Sequence, residues 1–289
     1  GACPPWPPHA RREASNLQTT RRRDEITDRM SDQQSRPDTW LLDMDGVLMH
    51  EDVALPGATA FVDRLNERDR QFLVLTNNSM FTRRDLAARL SGAGLDVAED
   101  QIWTSAVATA RFLSSQVPNA SAYVIGEAGL KAALHDVGYT LTDTDPDFVV
   151  LGESRTYSFQ TITRAVRLLE DGARFVATNP DATGPSPEGP VPATGSVAAL
   201  LTEAAGTEPY FVGKPNPIMI RSGLNQITAH SESTALVGDR MDTDVVAGIE
   251  AGLTTYLVLT GSTERDEVTQ FAYRPHHVAA SIESLVDEI

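Results

Sequence analysis

The sequence predicts an α/β protein with a doubly wound parallel sheet and a second α/β domain inserted as a cap. Short apolar runs alternate with helical patterns along the chain, which is typical of parallel sheets built from βαβ units. The runs are continuously apolar, as expected for strands covered by helices on both faces. About 135 residues separate two of the polar motifs that end these runs, and this stretch contains strand candidates of its own.

The strand candidates, in chain order, are "WLLDMD", "FLVLTNN", "AYVIG", "DFVVLG", "RFVATN", "YFVG", "TALVGD" and "TYLVLTG". A helix is predicted over 83–91, because Thr82 and Asp85 form an approximate capping box and Gly92 follows as a stop signal. A second helix is predicted over about 244–251, ending at Gly252.

Four segments are predicted. Residues 1–36 are rich in Pro, Arg, Ser, Thr and Gln and are expected to be a disordered N-terminal extension. Met30 is a candidate start of the native chain. Residues 37–106 and 207–289 are expected to form the two parts of the core. Residues 107–206 are expected to form the inserted cap, with strands near 122–126, 148–152 and 174–178 and a return helix from Ser196.

The charge distribution argues against binding nucleic acid. Residues 1–36 carry seven arginines against five acidic residues, so the rest of the chain carries 17 basic and 35 acidic side chains, a net charge of −18. Such a body repels nucleic acid. No apolar run approaches the roughly 18 residues of a membrane helix, so no membrane partner is expected. Cys3 is the only cysteine, which fits a cytoplasmic location.

Two polar motifs end strands in the first half of the chain. In "DMDG", Asp43 and Asp45 are two residues apart, so on a strand they face the same way. Two such carboxylates repel unless a cation or a shared proton compensates; a strand-end turn with capping aspartates is the alternative. In "TNNS", Thr76 and Asn77 open a turn that could bind an oxyanion, or simply cap the next helix.

Two further motifs follow in the second half. The chain has only two lysines, and Lys214 in "GKPNP" is held between glycine and proline, as a fixed charge for phosphate would be. An exposed turn lysine is the alternative. In "GDRMDTD", Asp239 ends a strand, and Asp242 and Asp244 follow it. Oxygen-rich clusters of this kind suit magnesium, although Asp244 also lies where an acidic residue stabilises a helix start.

Taken together, in this order and each after a predicted strand, the four motifs resemble those of the haloacid dehalogenase-like phosphohydrolases. The resemblance extends from about Trp40 to Ile289 and is closest to the NagD-type branch with a class II cap. Stretches such as "PDFVVLGESRTYSF", "ARFVATNPD" and "YFVGKPNP" carry it. It implies a Rossmann-like core and a phosphoric monoester hydrolase.

The resemblance also implies residue roles. Asp43 would attack phosphorus to form an aspartyl-phosphate. Asp45 would protonate the leaving oxygen and then activate water. Thr76 and the Asn77 amide would hold the phosphoryl group, and Lys214 would balance charge on nucleophile and phosphate.

By the same resemblance, Mg²⁺ would be bound by the Asp43 carboxylate, the Asp45 backbone carbonyl and Asp239. Asp244 would not bind the metal itself but would orient the ligands or water around it. The presence of Asp45 favours phosphate esters over halides, because a halide needs no proton to leave.

In the cap, the resemblance points to Asn179 and Asp181, and less directly to Glu153 and Arg155, as residues near the leaving group. Packing alone could equally explain any one of them. Arg240 follows the metal-loop aspartate where several relatives have a small polar residue, a difference expected to alter substrate choice.

The expected partner is a small phosphorylated metabolite, first of all a ribonucleoside monophosphate such as UMP. Phosphoglycolate, glycerol phosphate and pyridoxal phosphate are alternative substrates. Two other kinds of protein stay open. A phosphometabolite-binding protein that kept the fold would have lost key motif residues, and a sugar-phosphate mutase would carry a small helical cap in a different loop.

Overall fold

The apolar runs form two separate parallel sheets in the computed structural model, which describes residues 36–184, 186 and 188–289. Residues 37–289 make up one compact unit. The predicted disorder of residues 1–36 and the candidate start at Met30 lie outside the described residues, apart from Arg36.

In chain order the strands are β1 (Thr39–Leu42), β2 (Met49–His50), β3 (Val53–Ala54), β4 (Gln71–Thr76), β5 (Ile102–Thr104), β6 (Ser121–Ile125), β7 (Thr140–Leu141), β8 (Phe148–Leu151), β9 (Arg174–Ala177), β10 (Thr183–Gly184), β11 (Val191–Pro192), β12 (Tyr210–Phe211), β13 (Thr234–Gly238), β14 (Thr254–Val258) and β15 (His277–Ala279). The helices are α1 (Ala58–Glu67), α2 (Arg83–Gly92), α3 (Ser105–Gln116), α4 (Ala128–Asp136), α5 (Phe159–Glu170), α6 (Thr194–Ala205), α7 (Pro217–Gln226) and α8 (Val246–Ala251). Short 3₁₀ turns occur at Glu99–Gln101, Ser231–Ser233, Glu267–Gln270 and Ile282–Glu288, and a π-helical turn at Met241–Val245.

The core sheet has the order β15-β14-β13-β1-β4-β5, with every pair parallel. Successive residues of β1 point to opposite faces. Trp40 and Leu42 pack in one apolar cluster with α1 and α2, while Leu41 packs in another with α3 and α7. Helices therefore cover both faces, which confirms the predicted doubly wound sheet.

The cap sheet has the order β12-β9-β8-β6-β7 and is also parallel. Its strands β6, β8 and β9 confirm the three predicted cap strands. The apolar cluster around α3 continues into the cap through Ala122, Phe148 and Val150, so core and cap share buried surface. The predicted return helix begins at Thr194, two residues before Ser196.

Strand β12 differs from the sequence-based expectation. "YFVG" was expected to be a strand ahead of the Lys214 motif in the second part of the core, but Tyr210–Phe211 pairs with β9 in the cap sheet. The cap sheet thus extends beyond residue 206, and the predicted domain boundaries stay a prediction. Lys214 lies in the connection from the cap sheet to α7.

Two helix starts shape the loops of the site. Thr82 and Asp85 form the predicted capping box of α2. The helix predicted over about 244–251 is split, because Met241–Val245 forms a wider π-helical turn before α8. Such turns are rare and frequently occur at functional sites.

Along the described stretches of the chain, every helix is too short or too polar to cross a lipid bilayer.

Candidate active site

Lys214 joins two aspartates at the carboxyl edge of the core sheet. Its ammonium group lies 2.8 Å from Asp43 Oδ1 and 2.7 Å from Asp244 Oδ1, and it donates a third hydrogen bond to the backbone carbonyl of Leu75 at 3.2 Å. The lysine side chain is only 2% exposed. All three ammonium donors therefore have acceptors in a buried position, which excludes the alternative of an exposed turn lysine.

The order of strands explains how Asp43 and Asp239 meet. Strands β1 and β13 are parallel neighbours, so the residues that follow them lie side by side. The Asp43 amide still donates to the carbonyl of Val237 at 2.9 Å, which extends the ladder by one residue. Glycines allow the close approach: a Cβ on Gly46, whose φ is +80°, would lie 2.7 Å from Asp239 Oδ2.

Burial and mutual repulsion shift the protonation of these groups. Burial, then the charge of Asp244, raises the pKa of Asp43 well above its usual value, although Lys214 opposes this. The same two causes raise the pKa of Asp239 to about 6. Burial disfavours the Lys214 charge, but the attraction of Asp244 and Asp43 is stronger and raises the pKa of Lys214. The cluster thus has more negative charge than the lysine compensates.

This excess of charge fits a divalent cation. Asp43, Asp239 and Asp244 each offer a carboxylate oxygen, and these oxygens lie within 4.8 Å of one another. Hard cations with oxygen ligands, such as Mg²⁺, suit this donor set. Both oxygens of Asp244 already accept hydrogen bonds, from Lys214 Nζ at 2.7 Å and from the Arg240 amide at 3.1 Å. These contacts favour the predicted orienting role for Asp244, which stays a prediction.

The "TNNS" turn follows β4, next to β1 in the sheet. Thr76 is buried, and its hydroxyl accepts from the Asn78 amide at 3.1 Å. The side-chain amide of Asn77 donates to the carbonyl of Lys214 at 3.0 Å. The turn is therefore held against the lysine loop. The predicted phosphate contacts of Thr76 and the Asn77 amide stay a prediction.

Asp45 lies apart from the buried cluster. It is exposed, whereas Asp43 is 8% exposed and the intervening Met44 is buried. The surrounding protein partly desolvates the Asp45 carboxylate, although its side chain still contacts solvent, and this desolvation raises the pKa of Asp45. The charges of Arg89 and Lys214 partly offset the effect. A carboxyl with a raised pKa next to a buried nucleophile suits a general acid.

One loop of the cap contacts the two core loops of the candidate site. Asp181 accepts hydrogen bonds from Asn77 Nδ2 at 2.9 Å and from Arg240 Nη1 at 2.9 Å. Asn179 Nδ2 donates to the backbone carbonyl of Asn77 at 2.9 Å. The structure thus brings both of these cap residues, predicted from sequence, to the candidate site.

Glu153 and Arg155 lie nearby but not in the buried cluster. Their charged groups are 3.8 Å apart. Burial raises the pKa of Glu153; Arg155 opposes this, while Asp181 and Asp45 add to it. The pKa of Glu153 therefore responds to the charge of Asp45, so these two carboxyl groups lie within electrostatic reach of each other.

Three contacts of the site were not predicted from the sequence. Ser262 donates its amide to Asp239 Oδ2 at 2.6 Å. Ser79 accepts from the Glu153 amide at 2.9 Å and so joins the turn to the cap. The ion pair of Arg240 with Asp181 is the third. Ser262 follows strand β14 closely, so the rule that located the other motifs at strand ends could have found it.

Comparisons with known proteins agree with this geometry. Residues 40–140 match the family model of haloacid dehalogenase-like hydrolases, and residues 211–285 match a HAD-hydrolase-like model. A dihydroxyacetone phosphatase of Corynebacterium glutamicum is 58% identical over 86% of this chain and 90% of its own. Ribonucleotide monophosphatase NagD of Escherichia coli is 43% identical over 84% of this chain and 95% of its own.

Solved structures give the same result. The structure of NagD from E. coli superimposes with a TM-score of 0.83 at 42% identity, covering 88% of this chain and 99% of that one. A 4-nitrophenylphosphatase from Thermotoga maritima superimposes with a TM-score of 0.84 at 33% identity, covering 88% and 98%. The chain therefore belongs to the haloacid dehalogenase-like hydrolases, within the NagD-type branch of phosphoric monoester hydrolases.

Proposed function

We propose that this protein is a Mg²⁺-dependent phosphatase that works through an aspartyl-phosphate on Asp43. The observation that carries the proposal is the buried contact of Lys214 with Asp43 at 2.8 Å, beside the carboxylates of Asp239 and Asp244. A lysine fixed on the nucleophile and an acidic cluster able to hold a cation are what attack on a phosphate dianion requires.

The two steps use the two motif aspartates. An oxygen of Asp43 forms a bond to phosphorus as the bond from phosphorus to the ester oxygen breaks, and Asp45 gives its proton to that oxygen. Asp45 then takes a proton from water as the water oxygen bonds to phosphorus. The acyl-phosphate bond breaks, which frees Asp43 and inorganic phosphate.

Electrostatics explain why cations are needed. A carboxylate about 4 Å from a dianionic phosphate experiences two repulsions of roughly 4 kcal/mol each at an effective dielectric constant near 20. Lys214 offsets one of these charges at Asp43. Bound to Asp43, the Asp45 carbonyl and Asp239, Mg²⁺ would supply the remaining positive charge. Thr76 and the Asn77 amide would hold the phosphoryl oxygens from the adjacent turn.

For the substrate, we propose a small phosphate ester with a neutral, hydroxylated leaving group, with dihydroxyacetone phosphate as the first candidate. The 58% identical relative carries that name. A carboxylate on the leaving group would add negative charge beside Glu153, which lies close enough to Asp45 for the two carboxyl groups to interact. We therefore favour an uncharged leaving group over the carboxylate of phosphoglycolate. UMP remains the second candidate, supported by 43% identity to a ribonucleotide monophosphatase.

The test is phosphate release with and without Mg²⁺ from dihydroxyacetone phosphate, UMP, glycerol phosphate, phosphoglycolate and p-nitrophenyl phosphate. The Asp43→Asn protein is the blank. We expect Mg²⁺-dependent turnover that the blank lacks, with the highest kcat/KM for dihydroxyacetone phosphate. A highest value for UMP would overturn the substrate proposal alone. Binding of Mg²⁺ with no turnover above the blank would favour a phosphometabolite-binding role.

A further inference from the structure

Arg240 connects the metal loop to the cap in a way that the proposed chemistry does not use. Its guanidinium forms a fork on Asp242, with Nε 3.1 Å and Nη2 3.0 Å from the two carboxylate oxygens. The remaining terminal nitrogen, Nη1, donates to Asp181 Oδ1 at 2.9 Å. Asp242 therefore fixes the direction in which Arg240 reaches toward the cap.

Asp181 divides its two oxygens between two loops of the core. Oδ1 accepts from Arg240 in the metal loop, and Oδ2 accepts from Asn77 Nδ2 in the "TNNS" turn at 2.9 Å. One cap carboxylate thus holds the two loops that carry the predicted metal ligand and the predicted phosphate contacts. With both oxygens engaged, Asp181 is placed to hold the cap rather than to contact a leaving group.

The cap loop is also fixed from its own side. The amide of Gly195, in the first turn of α6, donates to the backbone carbonyl of Asp181 at 2.8 Å. The amide of Asp181 donates to Asn179 Oδ1 at 3.1 Å. A Cβ on Gly195 would overlap the carbonyl of Pro180. Asp181 therefore links the first turn of α6 to both core loops.

Arg240 supplies the positive charge that pairs with Asp181. Arg240 is 34% exposed and Asp181 16% exposed, so the pair is partly desolvated and stronger than a fully exposed pair.

We propose that Arg240 is a positioning residue that latches the cap loop Asn179–Asp181 onto the metal loop and the "TNNS" turn. The latch couples the position of this cap loop to the geometry of the phosphate site. Its loss leaves the catalytic groups and the shared apolar core in place but loosens the loop, so substrate is held less tightly.

The kinetic test compares Arg240→Gln, Arg240→Lys, Asp181→Asn and the double variant Arg240→Gln/Asp181→Asn, using the best substrate of the phosphate-release panel. We expect KM to rise roughly tenfold in Arg240→Gln while kcat changes less than threefold. Arg240→Lys keeps the positive charge, so its KM should lie between those of the wild type and Arg240→Gln. The double variant should resemble Asp181→Asn, because that change already removes the ion pair that Arg240→Gln removes.

Arg70→Gln is the matched control. Arg70 is 33% exposed and pairs with Asp38 at 2.8 Å, before β4 and β1 begin and so at the opposite end of the core sheet. We expect wild-type kinetics. Loss of folded enzyme would lower kcat without raising KM. An unchanged KM in Arg240→Gln, or additive effects in the double variant, would overturn the latch.

The kinetic arm rests on the proposed function, so a second measurement needs no turnover. Hydrogen exchange of a peptide covering residues 178–184 should become several-fold faster in Arg240→Gln but not in Arg70→Gln. Unchanged exchange would reject the latch even if the enzyme is active. Faster exchange in a protein without turnover would leave the latch standing and reject the phosphatase proposal.

Discussion

The ammonium group of Lys214 lies 2.8 Å from a carboxylate oxygen of Asp43, and both groups are almost completely buried. Removing one partner of a buried ion pair strongly destabilises the folded protein, because the other charge is left buried without compensation. The contact therefore makes the proposed nucleophile dependent on a single side chain that reaches it from the connection between cap sheet and α7.

Replacing that lysine tests the dependence. In Lys214→Met we expect kcat to fall about 10²–10³-fold, the usual effect of removing one group that stabilises charge in a transition state. Thermal stability should also fall, since Asp43 and Asp244 lose their shared partner. Lys131→Met, which alters the exposed lysine of α4, is the control and should behave as wild type. Lys214→Met protein that kept more than a tenth of kcat would contradict the proposed role.

Asp45 should matter most for substrates whose leaving group needs a proton. In Asp45→Asn we expect kcat for dihydroxyacetone phosphate to fall by about 10²–10⁴-fold, the range for general acid–base catalysis. The first step with p-nitrophenyl phosphate should be much less affected, because nitrophenolate leaves readily without protonation. The measurement is the burst of nitrophenol release followed by steady-state turnover. Equal losses in this burst and with dihydroxyacetone phosphate would argue against Asp45 as the acid.

Asp239 should destabilise the metal-free protein at neutral pH. Its pKa is raised from a usual value of 3.8 to about 6, first by burial and then by Asp244. Between these values the folded protein binds more protons than the unfolded chain, so stability is lost as pH rises through this interval. We expect Asp239→Asn to be more stable than wild type at pH 7.5 by at most about 3 kcal/mol, with a smaller difference at pH 5.

Urea unfolding in EDTA measures this difference. Asp147→Asn provides a control of opposite sign, because hydrogen bonds from the Ser121 amide and hydroxyl lower the pKa of Asp147, so its loss should destabilise the protein at pH 7.5. Added Mg²⁺ should stabilise wild type and have little effect on Asp239→Asn. An Asn variant less stable than wild type at pH 7.5 would show that the Asp239 charge is compensated without metal.

Gly261 should be required for metal binding, although it carries no ligand. A Cβ at this position would overlap the carboxylate of Asp239, so Gly261→Ala has to displace that side chain. We expect weaker Mg²⁺ binding by calorimetry and a higher Mg²⁺ requirement for activity. Gly92→Ala is the control, since a Cβ at Gly92, the last residue of α2, meets no atom within 4 Å. Unchanged Mg²⁺ affinity in Gly261→Ala would show that the Asp239 loop adapts freely.

Much of this site could be predicted from the sequence, because functional residues of parallel sheets lie at the carboxyl ends of the strands. Asp43 and Asp239 each follow a strand of the core sheet, and Thr76 is the last residue of one. Neighbouring parallel strands bring these carboxyl ends together. Lys214 also comes after a strand, as predicted, but not after a strand of the core sheet. The strand before it belongs to the cap sheet, and the rarity of lysine in the chain, rather than its position after a strand, identified it.

The parts that were not predicted depend on contacts between distant loops. Arg240 and Asp181 are 59 positions apart, and no local pattern indicates that a cap loop will meet the residue after Asp239. The π-helical turn at Met241–Val245 was also not predicted from the sequence. The Val245 amide bonds to the carbonyl of Arg240, five residues earlier, which local helix propensity does not distinguish from an ordinary first turn.

The position of β1 between β4 and β13 also constrains the order in which the chain can fold. Strand β4 follows β1 closely, but β13 is made only after the entire cap sheet. During synthesis the cap strands can pair with near neighbours while the central strand of the core still lacks one of its two partners. Long-range pairing of this kind forms slowly. We therefore expect the catalytic edge to assemble only after β13 has been made, later than the cap sheet.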